Sequence, residues 1–173
     1  MGCMHILSRR QFLFGAGAVS ILTSAMISIP QLGDYPKHSL ALQSLSDREV
    51  HIYHILGEWL LPPGGPLPGS GGDEITLKRI DMLLANLPDG QRLLLGALPL
   101  VFEHGTSLSR FGAARMTSMK PEPRDRYLRS WMESESLIPA QLVAALRTMY
   151  GMSYFERIDV QQAIQTPPKC TPV

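Results

Sequence analysis

Few residues of this chain have types and spacings that invite chemistry. His51, His54 and Glu58 stand at i, i+3 and i+7, so on a helix they share one face, and imidazole and carboxylate are ordinary ligands of a divalent metal. That face points away from the apolar stripe that contains Ile52, Ile55 and Trp59. Metal sites in helical bundles use inward-facing ligands from several helices, often as Glu-x-x-His pairs, and no such pair occurs in the sequence. The three side chains therefore read as a polar outer face. His104 follows Glu103 at the end of a helical pattern and precedes Gly105, which suits a cap at the negative end of a helix dipole better than a general base. Met116 and Met119, among nine methionines in all, read as adaptable core packing. "GSGG" at 69–72 lacks the flanking strand and spacing of a phosphate-binding loop, and neither a nucleophile elbow nor a His-Glu-x-x-His motif is present.

The aromatic residues gather late, at Tyr127, Trp131, Tyr150, Tyr154 and Phe155. They fit a bundle core. They also fit a partner-binding patch, because Tyr, Trp and Arg are enriched at contacts between chains, and Arg124, Arg126 and Arg129 stand beside them. Nucleic acid is excluded as a partner on charge. The net charge is +1, and with Arg9 and Arg10 set aside 14 basic residues face 15 acidic ones, so the body has no basic stripe to offer phosphates.

Those two arginines belong to a different kind of signal. Ser8-Arg9-Arg10-Gln11 is followed by Phe12-Leu13 and an uncharged run to Ile29, then Pro30. A charged start, an apolar segment and a breaker make up an export signal, and the arginine pair resembles the twin-arginine translocation motif, read by a translocase that carries proteins already folded. Uncut, the same run becomes a membrane anchor: eighteen residues at ~1.5 Å each reach ~27 Å, just under a bilayer core. Two cysteines flank the body. Cys3 precedes the arginines, and Cys170 lies near the C-terminus with no internal partner. In an oxidising compartment it reads either as one half of an intersubunit disulfide or as a free thiol on a frayed tail.

The elements that position these residues are helical. With 45% hydrophobic and 18% charged residues over 173 positions, the chain suits one folded domain. The organisation expected is a signal or anchor over 1–30, a linker over 31–45, a helical domain over 46–165 and a Pro-rich tail over 166–173. Ser46-x-x-Glu49 has capping-box spacing and opens a helix with Ile52, Ile55, Leu56, Trp59 and Leu60 inward, stopped by Pro62-Pro63. "PPGGPLPGSGG" is a loop, laid over a partner or over the domain's own surface. Asp73-Glu74 open a second helix with Leu77, Ile80, Leu83, Leu84 and Leu87 inward, ended by a turn at Pro88-Asp89-Gly90. A third runs from Gln91 to His104 with Leu94, Leu95, Leu98, Val101 and Phe102 inward and Pro99 inside it. A short helix follows over 108–116. The next, 121–134, buries Leu128, Trp131 and Met132, and Asp125/Arg129 and Arg129/Glu133 pair at i, i+4. Pro139 opens another, with Leu142, Leu146, Met149 and Tyr150 on one face and Gly151 ending it. A last piece covers Val160 to Ile164. No segment alternates with strand period, so the expected class is all-α: a small bundle of about five to seven helices behind an N-terminal signal or anchor helix.

Read in order, "SRRQFLFGAGA", "ILGEWLLPPGGPLPGSGGDE", Arg110-Phe111, "RDRYLRSWMES" and "LRTMYGMSYFERIDVQQAIQTPP" span nearly the full length. Their succession resembles the small, twin-arginine-bearing subunit of bacterial membrane-bound flavin dehydrogenases, the gluconate 2-dehydrogenase subunit 3 family. FAD-dependent glucose dehydrogenases have a similar small gamma subunit. Family tails often end in a glycine-tyrosine stretch followed by glycine-proline, where this chain has "AIQTPPKC". The resemblance implies a non-catalytic chain with no cofactor of its own. Its partner would be a flavoprotein of the glucose-methanol-choline oxidoreductase type, which holds FAD, lacks an export signal and leaves the cytoplasm on this chain's address. A multihaem cytochrome c subunit would pass electrons onward, and the complex would sit in the periplasm at the outer face of the inner membrane. The alternative is a stand-alone helical module held there by an uncut signal.

Overall fold

A computed structural model describes residues 35–108 and 115–165, and all their regular structure is helical. The helices are α1 (Asp47–Leu60), α2 (Glu74–Ala85), α3 (Asp89–His104), α4 (Pro121–Met132), α5 (Leu137–Phe155) and α6 (Ile158–Gln165), with short 3-10 turns at Gly105–Leu108 and Met116–Ser118. The all-α expectation holds for this part. The expected signal or anchor over 1–30, with Ser8, Arg9, Arg10, Phe12 and Leu13, lies outside the described residues. So do the tail 166–173 with Cys170, and most of the short helix expected over 108–116.

Helix α1 starts where the capping box predicts. The Ser46 side chain accepts the Glu49 N–H and Glu49 Oε2 accepts the Ser46 N–H at 2.8 Å, which satisfies two donors that a helix start leaves orphaned. Its fully buried face is Ile52, Tyr53, Leu56 and Gly57, while Ile55 and Trp59 sit at the margin of the core. From that margin Trp59 donates its indole N–H to Asp125 Oδ1 of α4 at 2.9 Å. Helix α5 packs against α2 and α4, and α1 against α3. Leu77, Ile80 and Leu84 of α2, Leu98 and Phe102 of α3, Leu128 of α4 and Val143, Leu146 and Met149 of α5 fill the space between them. Each such aliphatic or aromatic side chain contributes about 1.5–3 kcal/mol by leaving water.

Three buried tyrosines pin the helices together, and each hydroxyl meets a helix carbonyl. Tyr53 donates to the Leu95 carbonyl at 2.9 Å. Leu95 lies four residues before Pro99, which has no N–H to complete the helical bond, so the tyrosine supplies the donor that the proline removes. Tyr127 donates to the Phe102 carbonyl at 2.8 Å, in the last turn of α3, where carbonyls lack helical partners. Tyr150 donates to the Tyr53 carbonyl inside α1.

Several expectations need correction. Helix α3 begins at Asp89, inside the expected turn, because the Pro88 carbonyl accepts the N–H groups of Gln91 and Arg92, each at 2.9 Å. Its inner face is rotated from the apolar count: Leu94 is exposed and Val101 only partly covered, while Ala97, Pro99 and Glu103 are buried. Glu103 goes inside because partners for its carboxylate are there. Gly151 does not end α5, which continues to Phe155; a glycine costs a helix only ~1 kcal/mol, and buried Ser153 and Tyr154 follow it. Met132, expected inward, is 40% exposed, while Trp131, also expected inward, packs against Phe102 and Tyr127.

Residues 35–45, expected as spacer, lie on the bundle. Leu45 is buried, and Tyr35, Leu40 and Leu42 pack against the core. Buried Asp81 of α2 accepts the N–H groups of Gln43, Ser44 and Leu45 at 2.8, 2.8 and 2.9 Å. Three donors on one carboxylate make a charge-assisted clamp.

Candidate functional site

The Pro/Gly loop lies on the domain's own surface. Gly71 N–H donates to the Leu61 carbonyl at 2.9 Å, and the His54 ring meets the Gly72 carbonyl at 2.7 Å. The two backbones touch: a Cβ on Gly57 would stand 2.7 Å from the Gly72 nitrogen and closer still to the Gly71 carbonyl. Gly69 takes a φ of 78°, the left-handed region that a side chain disfavours.

Arg157 holds the far end of this loop, and sequence reading missed it. Its side chain is 3% exposed. One guanidinium nitrogen binds Asp73, the N-cap of α2, and donates to Thr76 Oγ1 at 3.0 Å. Nε and the other terminal nitrogen grip both oxygens of Asp159 at 3.1 and 2.7 Å. Asp73 in turn accepts the N–H groups of Ser70 and Thr76 at 3.0 and 2.9 Å, and the Tyr154 hydroxyl donates to the Pro68 carbonyl at 3.0 Å. Burial pushes the Asp73 carboxyl up, but the bonds from Arg157, Thr76 and Ser70 outweigh it and hold it below the ordinary carboxylate range. The bonds to Asp159 and Asp73, outweighing burial, push Arg157 higher still. The only early signal was composition: an arginine between two apolar helical stretches, with acids 84 and two residues away.

A second polar cluster closes the α1/α3 end. Fully buried Glu103 accepts the Tyr35 hydroxyl at 2.8 Å, the Thr117 hydroxyl at 2.6 Å and the Thr117 N–H at 3.0 Å. The Arg115 guanidinium lies 4.8 Å from the centre of the Tyr35 ring, within cation–π range. His104, expected as a helix cap, meets a terminal nitrogen of Arg48 at 3.2 Å. Burial and the Arg48 charge lower its pKa.

Of the three residues read as a polar outer face, Glu58 is exposed and His51 and His54 are partly covered. His51 turns to Tyr35 and His38, with ring centres 6.0 Å away in each case. His54 is tied to Gly72, and its Nε2 is 3.7 Å from Glu58. Burial, then the charges of His38 and His54, lower the His51 pKa. No three His, Cys, Asp or Glu among the described residues are arranged to hold a metal ion. Met116 is buried in the core and Met119 packs against it, as the packing reading expects.

Of the candidate partner-binding aromatics, Tyr127, Tyr150 and Tyr154 are buried, their hydroxyls engaged as above, and Trp131 is half-buried against Tyr127 and Phe102 of α3. Phe155 alone is open, at 48%. Ile75 and Met82 of α2, Met152 of α5 and Ile158 of α6 are exposed apolar side chains as well. Sequence reading passed over these residues because they fall outside the inward stripes. Ile75, Arg79, Met82 and Asn86 recur at i, i+4, i+7 and i+11, a second face of α2 turned outward. The seam between α2 and α5 is indented beside Met82 and Met152, with Arg79 and Glu156 paired across it at 3.6 Å.

In comparisons with known proteins, no family model, no curated protein and no solved structure matches this chain.

Proposed function

We propose that this chain is the non-catalytic small subunit of an exported FAD-dependent sugar or alcohol dehydrogenase, whose catalytic partner is of the glucose-methanol-choline type. It carries the twin-arginine address on which that folded flavoprotein leaves the cytoplasm, and it assists its assembly. The observation that carries this reading is the Ser8-Arg9-Arg10-Gln11-Phe12-Leu13 motif, with its uncharged run, ahead of segments whose order resembles that of the small-subunit family. The helical body is in keeping with it. Arg157, Glu103 and Asp81 each hold segments of the chain together, and several large apolar side chains, Met82, Met152 and Phe155 among them, are left exposed. The mature complex stands at the periplasmic face of the inner membrane, where a multihaem cytochrome c subunit accepts electrons from the flavin.

The test is to change Arg9→Lys and Arg10→Lys together in the native host and follow both this chain and flavin-dependent sugar or alcohol dehydrogenase activity by cell fractionation. Both are expected to stay in the cytoplasm. Export of the activity at the wild-type level, or arrival of the wild-type chain in the envelope alone and without flavin, overturns the reading.

A further inference from the structure

Tyr35 to Ser39, where the described residues begin, lie on the bundle with few contacts. Pro36, Lys37 and Ser39 are exposed. The Tyr35 hydroxyl donates to Glu103 at 2.8 Å, and the His38 N–H donates to Asp47 Oδ1 at 3.2 Å. Beyond them Leu40 and Leu42 pack on the core, and the Asp81 clamp follows at Gln43, Ser44 and Leu45. A segment with so few buried contacts opens more easily than the fold as a whole.

The ground beneath it is basic and short of acceptors. The Arg115 and Arg48 guanidinium carbons lie 4.8 and 5.9 Å from the centre of the Tyr35 ring. The His51 ring, on α1, is 6.0 Å from that of Tyr35 and 6.0 Å from that of His38. His38 Nε2, Arg48 Nε and a terminal nitrogen of Arg115 are buried with no hydrogen-bond partner, a cost that opening relieves. Glu103 of α3 is already engaged by Tyr35 and Thr117, and His104 meets Arg48 rather than the segment.

His51 faces the segment and titrates near neutrality. Burial first, and next the His38 charge, keep protons off it; His54 of the same helix and Arg115 add to this, and Glu103 opposes them. Lifting the segment opens the ring to water and carries His38 away, while His54, Arg115 and Glu103 stay. A proton therefore binds His51 more tightly when the segment is lifted, and by linkage acid favours the lifted state.

We propose that Tyr35–Ser39 is a proton-operated latch: protonation of His51 lifts this segment off Arg48, His51 and Arg115, while Leu40, Leu42 and the Asp81 clamp keep the following residues on the bundle. The device does not depend on the subunit reading.

Hydrogen exchange of the full-length protein is followed by NMR at about pH 7.5 and about pH 5.5, each amide rate divided by that of an unstructured chain at the same pH. Protection of the His38 amide is expected to fall on acidification by about threefold or more beyond any fall at Leu56 inside α1, while Leu45 follows Leu56. A fall at His38 no greater than at Leu56 overturns the latch, and so does a His38 amide that is unprotected at the higher pH. His51→Gln, which keeps an uncharged polar side chain, is expected to remove the extra pH dependence at His38; its persistence overturns the role of His51. Tyr35→Ala leaves His51 in place and takes the covering ring away, so the His51 ring signals are expected to titrate at higher pH than in the wild type. An unchanged His51 titration overturns the coupling, whatever His51→Gln does to the fold.

Discussion

Tyr53 and Pro99 should behave as a coupled pair although neither side chain bonds the other. The Tyr53 hydroxyl is spent on the Leu95 carbonyl, which lost its helical donor to the proline four residues on. Tyr53→Phe keeps a fully buried ring in place and strips that carbonyl of the tyrosine's bond. The expected cost is about 1–2 kcal/mol, because the acceptor is only partly buried and some of the penalty is recovered from water. Pro99→Ala returns an N–H to the Leu95 carbonyl, so in that background Tyr53→Phe should cost no more than about 0.5 kcal/mol. The proline substitution also removes buried ring atoms and relieves a helix-interior proline, two terms that cancel in the cycle. Urea unfolding of the four full-length proteins, followed by fluorescence of Trp59 and Trp131, gives the coupling from shifts in midpoint at constant slope. A Tyr53→Phe cost equal in the two backgrounds to within about 0.5 kcal/mol would show that the proline and the tyrosine are independent, and the account of α3 would be wrong.

Two further outcomes follow from the polar clusters. Arg157→Met should destabilise the protein by about 2–3 kcal/mol, below the figure for a fully buried pair because Asp73 and Asp159 stay partly open to water. In thermal unfolding that is a midpoint drop of roughly 4–12 °C, with faster hydrogen exchange at the Ser70 amide; a drop under about 2 °C would refute the clasp. Acidification from about pH 7.5 to 5.5 should also lower stability. His51 and His104 are held below their ordinary 6.5 in the fold, so the unfolded chain binds more protons and stability rises with pH across that window. The His38, His54 and Arg115 charges oppose protonation of His51, those of Arg48 and Arg115 oppose it at His104, and Glu103 favours it at both without prevailing. Unfolding midpoints that are flat or rising on acidification would contradict this environment.

What the sequence made legible was local. The capping box of α1, the proline stop after it and the inward set Leu77, Ile80 and Leu84 of α2 depend on neighbours within a few positions. What it hid depended on residues far along the chain. Glu103 reads as a solvated acid until Tyr35 and Thr117 are folded against it, 68 and 14 residues away. Arg157 reads as one charge among many, because its partner Asp73 is 84 residues distant. The clustering of aromatics late in the chain is legible, but composition does not say which hydroxyl reaches a helix carbonyl. Of the five proposed for a partner, only Phe155 is largely exposed. The exposure of Met82 and Met152 is illegible for a related reason: they fall outside the inward stripes, and only the packing of α2 on α5 shows that their sides face outward.

The clamp that Asp81 forms on residues 43–45 has a mechanical consequence. Traction applied to the chain ahead of Tyr35 reaches the helices through three acidic side chains in succession, Glu103 at the Tyr35 hydroxyl, Asp47 at the His38 amide and Asp81 at three consecutive amides. These acids stand on α3, α1 and α2 in turn. A protein hauled by its leading end would thus share the pull among three helices rather than load one.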